Sequence, residues 1–179
     1  MSRVDFSAVK FFFSPPSLII KARNGGELWQ GSFPNGDLQT AGIDLLVLAA
    51  EELQPDENAK PGYYKGTPDD LFFPGVDVIL APNKDEAYFP VSRKMIALMA
   101  AQHVADAVRE GKNVLVTCAA GLNRSGLVTA LALRELFGKP GEDAVARVRE
   151  RRPGALTNEI FADFVIRCPY SSGSSDRSL

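Results

Sequence analysis

The stretch NVLVTCAAGLNRSG, from Asn113 to Gly126, decides the fold. Its first five residues form a short apolar run of the buried-strand type. Its end opens a Leu- and Ala-rich segment, Ser125 to Phe137, that stops at Gly138 and Pro140 and reads as a helix. Between the two stand Cys118 at the strand end, Gly121 three residues on and Arg124 six on, with Ser125 following. A loop joining a strand end to a helix N-terminus directs successive backbone N–H groups, and the positive end of the helix dipole, into one small concavity. That geometry makes Ala119, Ala120, Gly121, Leu122 and Asn123 a phosphate cradle. Gly121 permits the positive φ of a tight loop, and the planar fork of Arg124 suits two phosphate oxygens as Lys could not. A free thiol titrates at about 8.5, and a helix N-terminus with a nearby Arg lowers that to roughly 3.5–7.5, so Cys118 is the expected nucleophile. Ser125 is placed to donate a hydrogen bond to the sulfur and to help it leave when a phosphocysteine breaks down.

Working outward, Leu18 to Lys21 and Glu27 to Gln30 predict two short strands around the turn Asn24-Gly25-Gly26. Asp44 to Ala49 and Val76 to Leu80 are further buried-strand runs. From Val91 to Arg109, residues Ile96, Met99, Ala100, His103, Val104, Ala107 and Val108 recur at helical spacing, which predicts a helix crossing over between parallel strands. Two more helices are predicted at Glu142 to Arg151 and Asn158 to Cys168, the last with Phe161, Phe164, Val165 and Cys168 on one stripe. These elements predict an α/β single domain: a central, mostly parallel sheet of about four to five strands flanked by helices. Residues 1–17 read as an N-terminal extension, 18–168 as the domain and 169–179 as a flexible tail. Within the domain, residues 51–75 carry Pro55, Pro61, Gly62, Gly66, Pro68, Pro74 and Gly75, which predicts a long, mostly irregular loop.

Composition narrows the partners. The 20 basic and 22 acidic side chains nearly balance, so no long-range field draws a polyanion or an anionic membrane to the whole surface, and anion recognition has to be local. The first twenty residues are interrupted by Lys10 and by Pro15-Pro16, unlike a signal peptide or membrane span. With two cysteines and no export signal, a reducing cytoplasm is the expected compartment.

The segment Val114-Leu-Val-Thr-Cys-Ala-Ala-Gly-Leu-Asn-Arg-Ser-Gly126 resembles the signature loop of the dual-specificity branch of the cysteine-based protein tyrosine phosphatases. Leu28-Trp-Gln-Gly-Ser32 with Ala41-Gly-Ile-Asp-Leu-Leu-Val-Leu48 resembles the family's opening strands, and Arg152-Pro-Gly-Ala-Leu-Thr-Asn158 with Phe161 its closing segment. The resemblance implies a phosphotyrosine phosphatase-like fold. It also implies hydrolysis of phosphate monoesters, phosphotyrosine and phosphoserine or phosphothreonine in proteins, through a phosphocysteine, with no cofactor or metal. It places a general acid on a loop some thirty positions before the nucleophile. Asp85, 33 residues before Cys118, is the choice, with Glu86 as first rival and Asp77, inside a predicted strand, as second. One carboxyl group there can protonate the leaving oxygen and later orient water. The family usually has His before the cysteine, where this chain has Thr117. A Thr hydroxyl can supply one loop-organising hydrogen bond, so altered loop rigidity is expected and not loss of activity.

Other readings stay open within the superfamily. Gly121-Leu-Asn-Arg-Ser-Gly126 also resembles the loop of RNA 5′-triphosphatases and related RNA phosphatases, but without a basic excess nucleic acid is not an expected partner. Phosphoinositide phosphatases tend to carry Lys in the loop, where this chain has Ala119, Ala120, Leu122 and Asn123. A non-catalytic phosphoprotein-binding module is the alternative of another class. His103, the one histidine, and Cys168 read as core residues, although Cys168 could in principle trap an oxidised Cys118. Tyr63, Tyr64, Phe72 and Phe73 either line the substrate entrance, if the long loop folds over the site, or anchor that loop to the core, which is the preferred reading.

Overall fold

The computed structural model describes residues 4–55, 59–66 and 73–169. Its strands are β1 (Lys10–Phe11), β2 (Ser17–Lys21), β3 (Glu27–Ser32), β4 (Pro34–Asn35), β5 (Leu45–Ala50), β6 (Gly62–Tyr64), β7 (Asp77–Asn83) and β8 (Asn113–Cys118). The helices are α1 (Val91–Arg109), α2 (Asn123–Phe137), α3 (Gly141–Arg151) and α4 (Glu159–Arg167). No described helix is long and apolar enough to cross a membrane.

The central sheet has the order β2-β3-β8-β5-β7-β6, with β1 and β4 forming a separate two-stranded pair. Neighbours among β3, β8, β5 and β7 are parallel, while β2 and β6 close the two edges antiparallel. The α/β class and the parallel centre agree with the sequence. The strand count does not: the sheet has six strands and is mixed. The extra one, β6, lies inside the stretch read as irregular. Three residues suffice for an edge strand once β7 supplies the partner, and composition around Pro61 and Gly66 cannot show that pairing.

Both faces of the inner strands are buried, which explains why they read as continuous apolar runs. Leu45, Val47 and Ala49 of β5 and Val114 and Val116 of β8 join one core with all four helices. Their alternate neighbours Leu46, Leu48 and Leu115 meet Val9, Leu38, Ile43, Phe73 and Val76 on the other side, which carries no helix among the described residues. Phe6 closes that side by edge-on contacts with Phe11 and Trp29, at centroid distances of 5.4 and 5.2 Å.

Helix α1 has the predicted bounds, and Ala100, Val104, Ala107 and Val108 are buried as expected, but the buried face is turned away from Met99 and His103. Ala97, Ala101 and Ala105 complete the core surface, while Met99 is 46% exposed and His103 is exposed. Small alanines let the helix lie close to its neighbours, and a hydropathy pattern undervalues them against Met or Ile. His103 is therefore not a core residue; its ring stacks on Tyr63 at 5.5 Å. Helix α2 starts at Asn123, two residues before the predicted start, and ends on Gly138 in the left-handed conformation. The closing helices are fixed by a buried guanidinium, with Arg134 Nη1 donating to the Val165 and Cys168 carbonyls at 2.6 and 2.8 Å.

Helix α3 begins in contact with the end of α4, and a Cβ on Gly141 would run into the Val165 carbonyl oxygen and the Ile166 Cα. Gly141→Ala is thus expected to destabilise the chain by about 1–3 kcal/mol. Urea unfolding should show a lower midpoint with an unchanged slope; an unchanged midpoint would contradict this packing.

Candidate active site

Strand β8 ends in Cys118, paired in register with Ser32 of β3, and α2 starts five residues later. The first turn of α2 has no side-chain cap, leaving its N–H groups to the concavity. No loop hydrogen bond is donated by the N–H groups of Ala119, Ala120 or Gly121 among the described residues. The carbonyl side of the loop, by contrast, is tied into the protein. Gly121 O accepts from Gln30 Nε2 at 3.1 Å and from Arg152 Nε at 2.6 Å, and Leu122 O accepts from Gln30 Nε2 at 3.4 Å. Gly121 adopts a φ of 73°, and a Cβ there would collide with the Gly31 and Ser32 backbone.

Cys118 is 2% exposed, and its Sγ lies 3.3 Å from Ser125 Oγ, itself fully buried. Thr117 does not organise the loop. Its Oγ1 donates to Val47 O of the neighbouring strand β5 at 2.9 Å, where Thr117 pairs in register with Leu48. The expectation that its hydroxyl would stand in for the family's His is corrected accordingly: Gln30 and Arg152 hold the loop instead.

Arg152 carries most of that load. Besides Gly121 O, it donates to Pro15 O at 2.9 Å, Ser17 Oγ at 3.2 Å and Ser14 Oγ at 2.7 Å, binding the segment before β2 to the loop. Burial draws its pKa below the ordinary Arg value, and the charge of Cys118 pulls in the opposite direction. A second buried cation therefore lies within electrostatic reach of the thiol.

Arg124, in the first turn of α2, donates through Nη1 to the Glu52 carboxylate at 2.5 Å, while its buried Nε has no partner among the described residues. Burial opposes the charge of the guanidinium, yet the bond to Glu52 and the charges of Cys118 and Asp85 raise its pKa above the ordinary value. Burial likewise opposes the charge of Glu52, and the Arg124 bond and the Glu52 backbone N–H outweigh it, so that pKa is lowered. Glu52 stands in the short 3₁₀ turn Glu51–Leu53, directly after β5.

Asp85, just after β7, reaches the loop. Its carboxylate accepts from Asn123 Nδ2 at 2.9 Å and from Asn158 Nδ2 at 2.8 Å. Asn158 also caps α4 by accepting from Ile160 N, and Asn123 Oδ1 accepts from Thr157 Oγ1 at 3.1 Å. Glu86 turns away toward Lys84, 3.8 Å distant, and Asp77 bonds Tyr63 Oη and Gly66 N. A groove of about 860 Å³ opens over Arg124 and Asp85. Cys118 is not in its wall.

The structure thus brings Cys118, Arg124, Ser125, Asn123 and Asp85 to one place and adds Gln30, Glu52, Arg152 and Asn158, which sequence reasoning did not single out. Gln30, Arg152 and Asn158 left one readable trace, as members of the segments Leu28–Ser32 and Arg152–Asn158 that carry the family resemblance. Glu52 left none. Cys168 is free, half-buried at the end of α4, and its thiol pKa is raised by burial. Of the loop aromatics, Phe73 is buried and meets Phe33 edge-on, Tyr64 Oη donates to Lys60 O, and the Tyr63 phenol is pushed up to about 12 by burial and Asp77. Phe72 lies outside the described residues.

No family model matches the chain. A stretch of 56 residues is 43% identical to protein tyrosine phosphatase PRL-1 of Trypanosoma cruzi (strain CL Brener); it spans 31% of this chain and 31% of that relative's length. Among solved structures, Tk-PTP in its active form superposes with a TM-score of 0.59 at 23% identity, over 86% of this chain and 97% of the other. Human DUSP28 gives 0.58 at 22% identity over 86% and 95%. Human tyrosine phosphatase-like serine/threonine/tyrosine-interacting protein gives 0.59 at 22% over 84% and 92%. The chain has the fold of the tyrosine and dual-specificity phosphatases, and the resemblance carried by its loop extends to most of the described chain.

Because Arg152 satisfies the Pro15 carbonyl and shares the Gly121 carbonyl with Gln30, Arg152→Met is expected to cost about 1–3 kcal/mol by taking the Arg152 donor from Pro15 O and leaving Gly121 O to Gln30 alone. Arg152→Lys should restore only part of this, since an ammonium cannot span the same fork. Urea midpoints of the two variants check the order; equal midpoints for wild type and Arg152→Met would contradict it.

Proposed function

We propose that the chain is a phosphatase that hydrolyses phosphate monoesters, phosphotyrosine and phosphoserine or phosphothreonine in proteins, through a phosphocysteine on Cys118. One observation carries this reading. The buried Cys118 sulfur, in contact with the Ser125 hydroxyl, stands at the root of a loop whose carbonyls are bonded backward and whose Arg124 has a buried Nε–H with no partner among the described residues.

In this scheme the ester phosphate sits on the loop N–H groups and on the Nε edge of Arg124, while Glu52 holds the other edge of the guanidinium. The sulfur attacks phosphorus and the ester P–O bond breaks. The departing oxygen takes a proton from Asp85. Water then attacks the phosphocysteine and gives its proton to Asp85; the S–P bond breaks, the thiolate returns and inorganic phosphate leaves. Ser125 Oγ–H donates to the sulfur as its charge returns. Asn123 and Asn158 act as positioning residues, since each donates to one oxygen of the Asp85 carboxylate. A reducing compartment such as the cytoplasm suits an enzyme that depends on a free thiol.

Turnover of p-nitrophenyl phosphate tests the scheme. Cys118→Ser should abolish it while retaining phosphate binding, which separates an enzyme from a binding module. Asp85→Asn should lower kcat by about 10²–10⁴-fold with little change in KM, and more steeply for a phosphoserine peptide, whose leaving group is the more basic. Full activity of Asp85→Asn beside an inactive Glu86→Gln would move the acid to Glu86, and undiminished turnover by Cys118→Ser would remove the nucleophile.

A further inference from the structure

We infer that the groove above the phosphate loop selects singly phosphorylated peptides with basic residues beside the phosphorylated one, and discriminates against ligands that carry a second phosphate. The inference rests on the phosphatase reading of the site and adds its substrate class.

Among the described residues, the wall of the groove carries four carboxylates, Glu51, Glu52, Asp85 and Glu86, against three cations, Lys84, Arg93 and Arg124. None of those cations is spare. Arg93 pairs with Glu51 and also donates to Pro82 O. Lys84 stands between Glu51 at 4.0 Å and Glu86 at 3.8 Å. Arg124 is held by Glu52. The Nε–H of Arg124, without a partner among the described residues, leaves room for one phosphate, and a second would have to break an ion pair and then stand among the remaining carboxylates.

Three of these carboxylates face outward: the Glu51, Glu52 and Glu86 side chains are 40%, 52% and 54% exposed. When a dianionic ester binds Arg124, Glu52 must share its cation with the phosphate, and the local excess of negative charge grows. A Lys or Arg from the substrate relieves that excess and is the complementary neighbour. The groove is also far larger than a phosphoryl group, and Ala59, Pro61 and Ile96 offer apolar wall for the stem of a long basic side chain. Polyphosphorylated lipid headgroups and 5′-triphosphate ends meet the opposite situation, because no described cation of the wall is left to receive their extra charge.

The test is a series of peptides with one phosphotyrosine flanked by Lys, by Ala or by Glu, together with a doubly phosphorylated peptide, an inositol polyphosphate and a 5′-triphosphate RNA. At low salt, kcat/KM should fall from the Lys to the Glu peptide by about tenfold, mainly through KM, and the doubly phosphorylated peptide should be poorer still. High salt should compress the series. The variant Glu51→Gln/Glu86→Gln should reduce the Lys-to-Glu ratio to about twofold, as expected for loss of two rim charges. Equal rates for the Lys and Glu peptides, or faster turnover of any polyphosphorylated ligand, with p-nitrophenyl phosphate still hydrolysed, would overturn the inference and leave the phosphatase reading standing. Loss of all turnover, p-nitrophenyl phosphate included, would overturn both.

Discussion

The Gly121 carbonyl is held from behind by two buried donors, Gln30 Nε2 and Arg152 Nε, and the geometry of the site follows from that anchorage. With its carbonyls bonded into the protein, the loop can offer its N–H groups on the other side. With no Cβ at residue 121, it can lie against the Gly31–Ser32 backbone. The donors come from far apart in the chain. Gln30 is on β3, the parallel neighbour of β8, and Arg152 follows α3. Arg152 also reaches Ser14, Pro15 and Ser17, so the segment before β2 and the close of the helical layer are joined through the loop. Fold and site share one set of hydrogen bonds.

In front of the loop the arrangement is electrostatic. Arg124 is oriented by Glu52 and keeps its buried Nε–H, while Asp85 is held by two neutral amides. Each amide holds one oxygen of that carboxylate, which fixes its place against the loop. The surrounding carboxylates and their paired cations, among the described residues, make the approach nearly neutral to weakly acidic, so positive character is confined to the loop.

What the sequence revealed and what it hid divide along physical lines. Local signals were legible: the apolar runs of β5, β7 and β8, the bounds of α1, the stop of α2 at Gly138, and the Cys118-to-Ser125 spacing, whose meaning depends on a strand before it and a helix after. Non-local signals were not. Strand β6 exists because β7 pairs with it. Thr117 bonds Val47 because of sheet register, and no spacing rule reveals that. His103 was read as core because the hydropathy pattern gave weight to Met99 and passed over Ala97, Ala101 and Ala105. Gln30, Glu52 and the Arg152–Asn158 segment act on the loop from three different parts of the chain, and their roles appear only after the fold brings them together.

In the proposed reaction the Cys118 sulfur takes the phosphoryl group during turnover. Rapid acid quench of a reacting mixture, followed by peptide mapping with mass spectrometry, addresses it most directly. The account predicts one phosphoryl group on the peptide that carries Cys118, present during turnover and gone once substrate is exhausted. Steady hydrolysis with phosphate on another residue, or with none on the protein at any quench time, would contradict it.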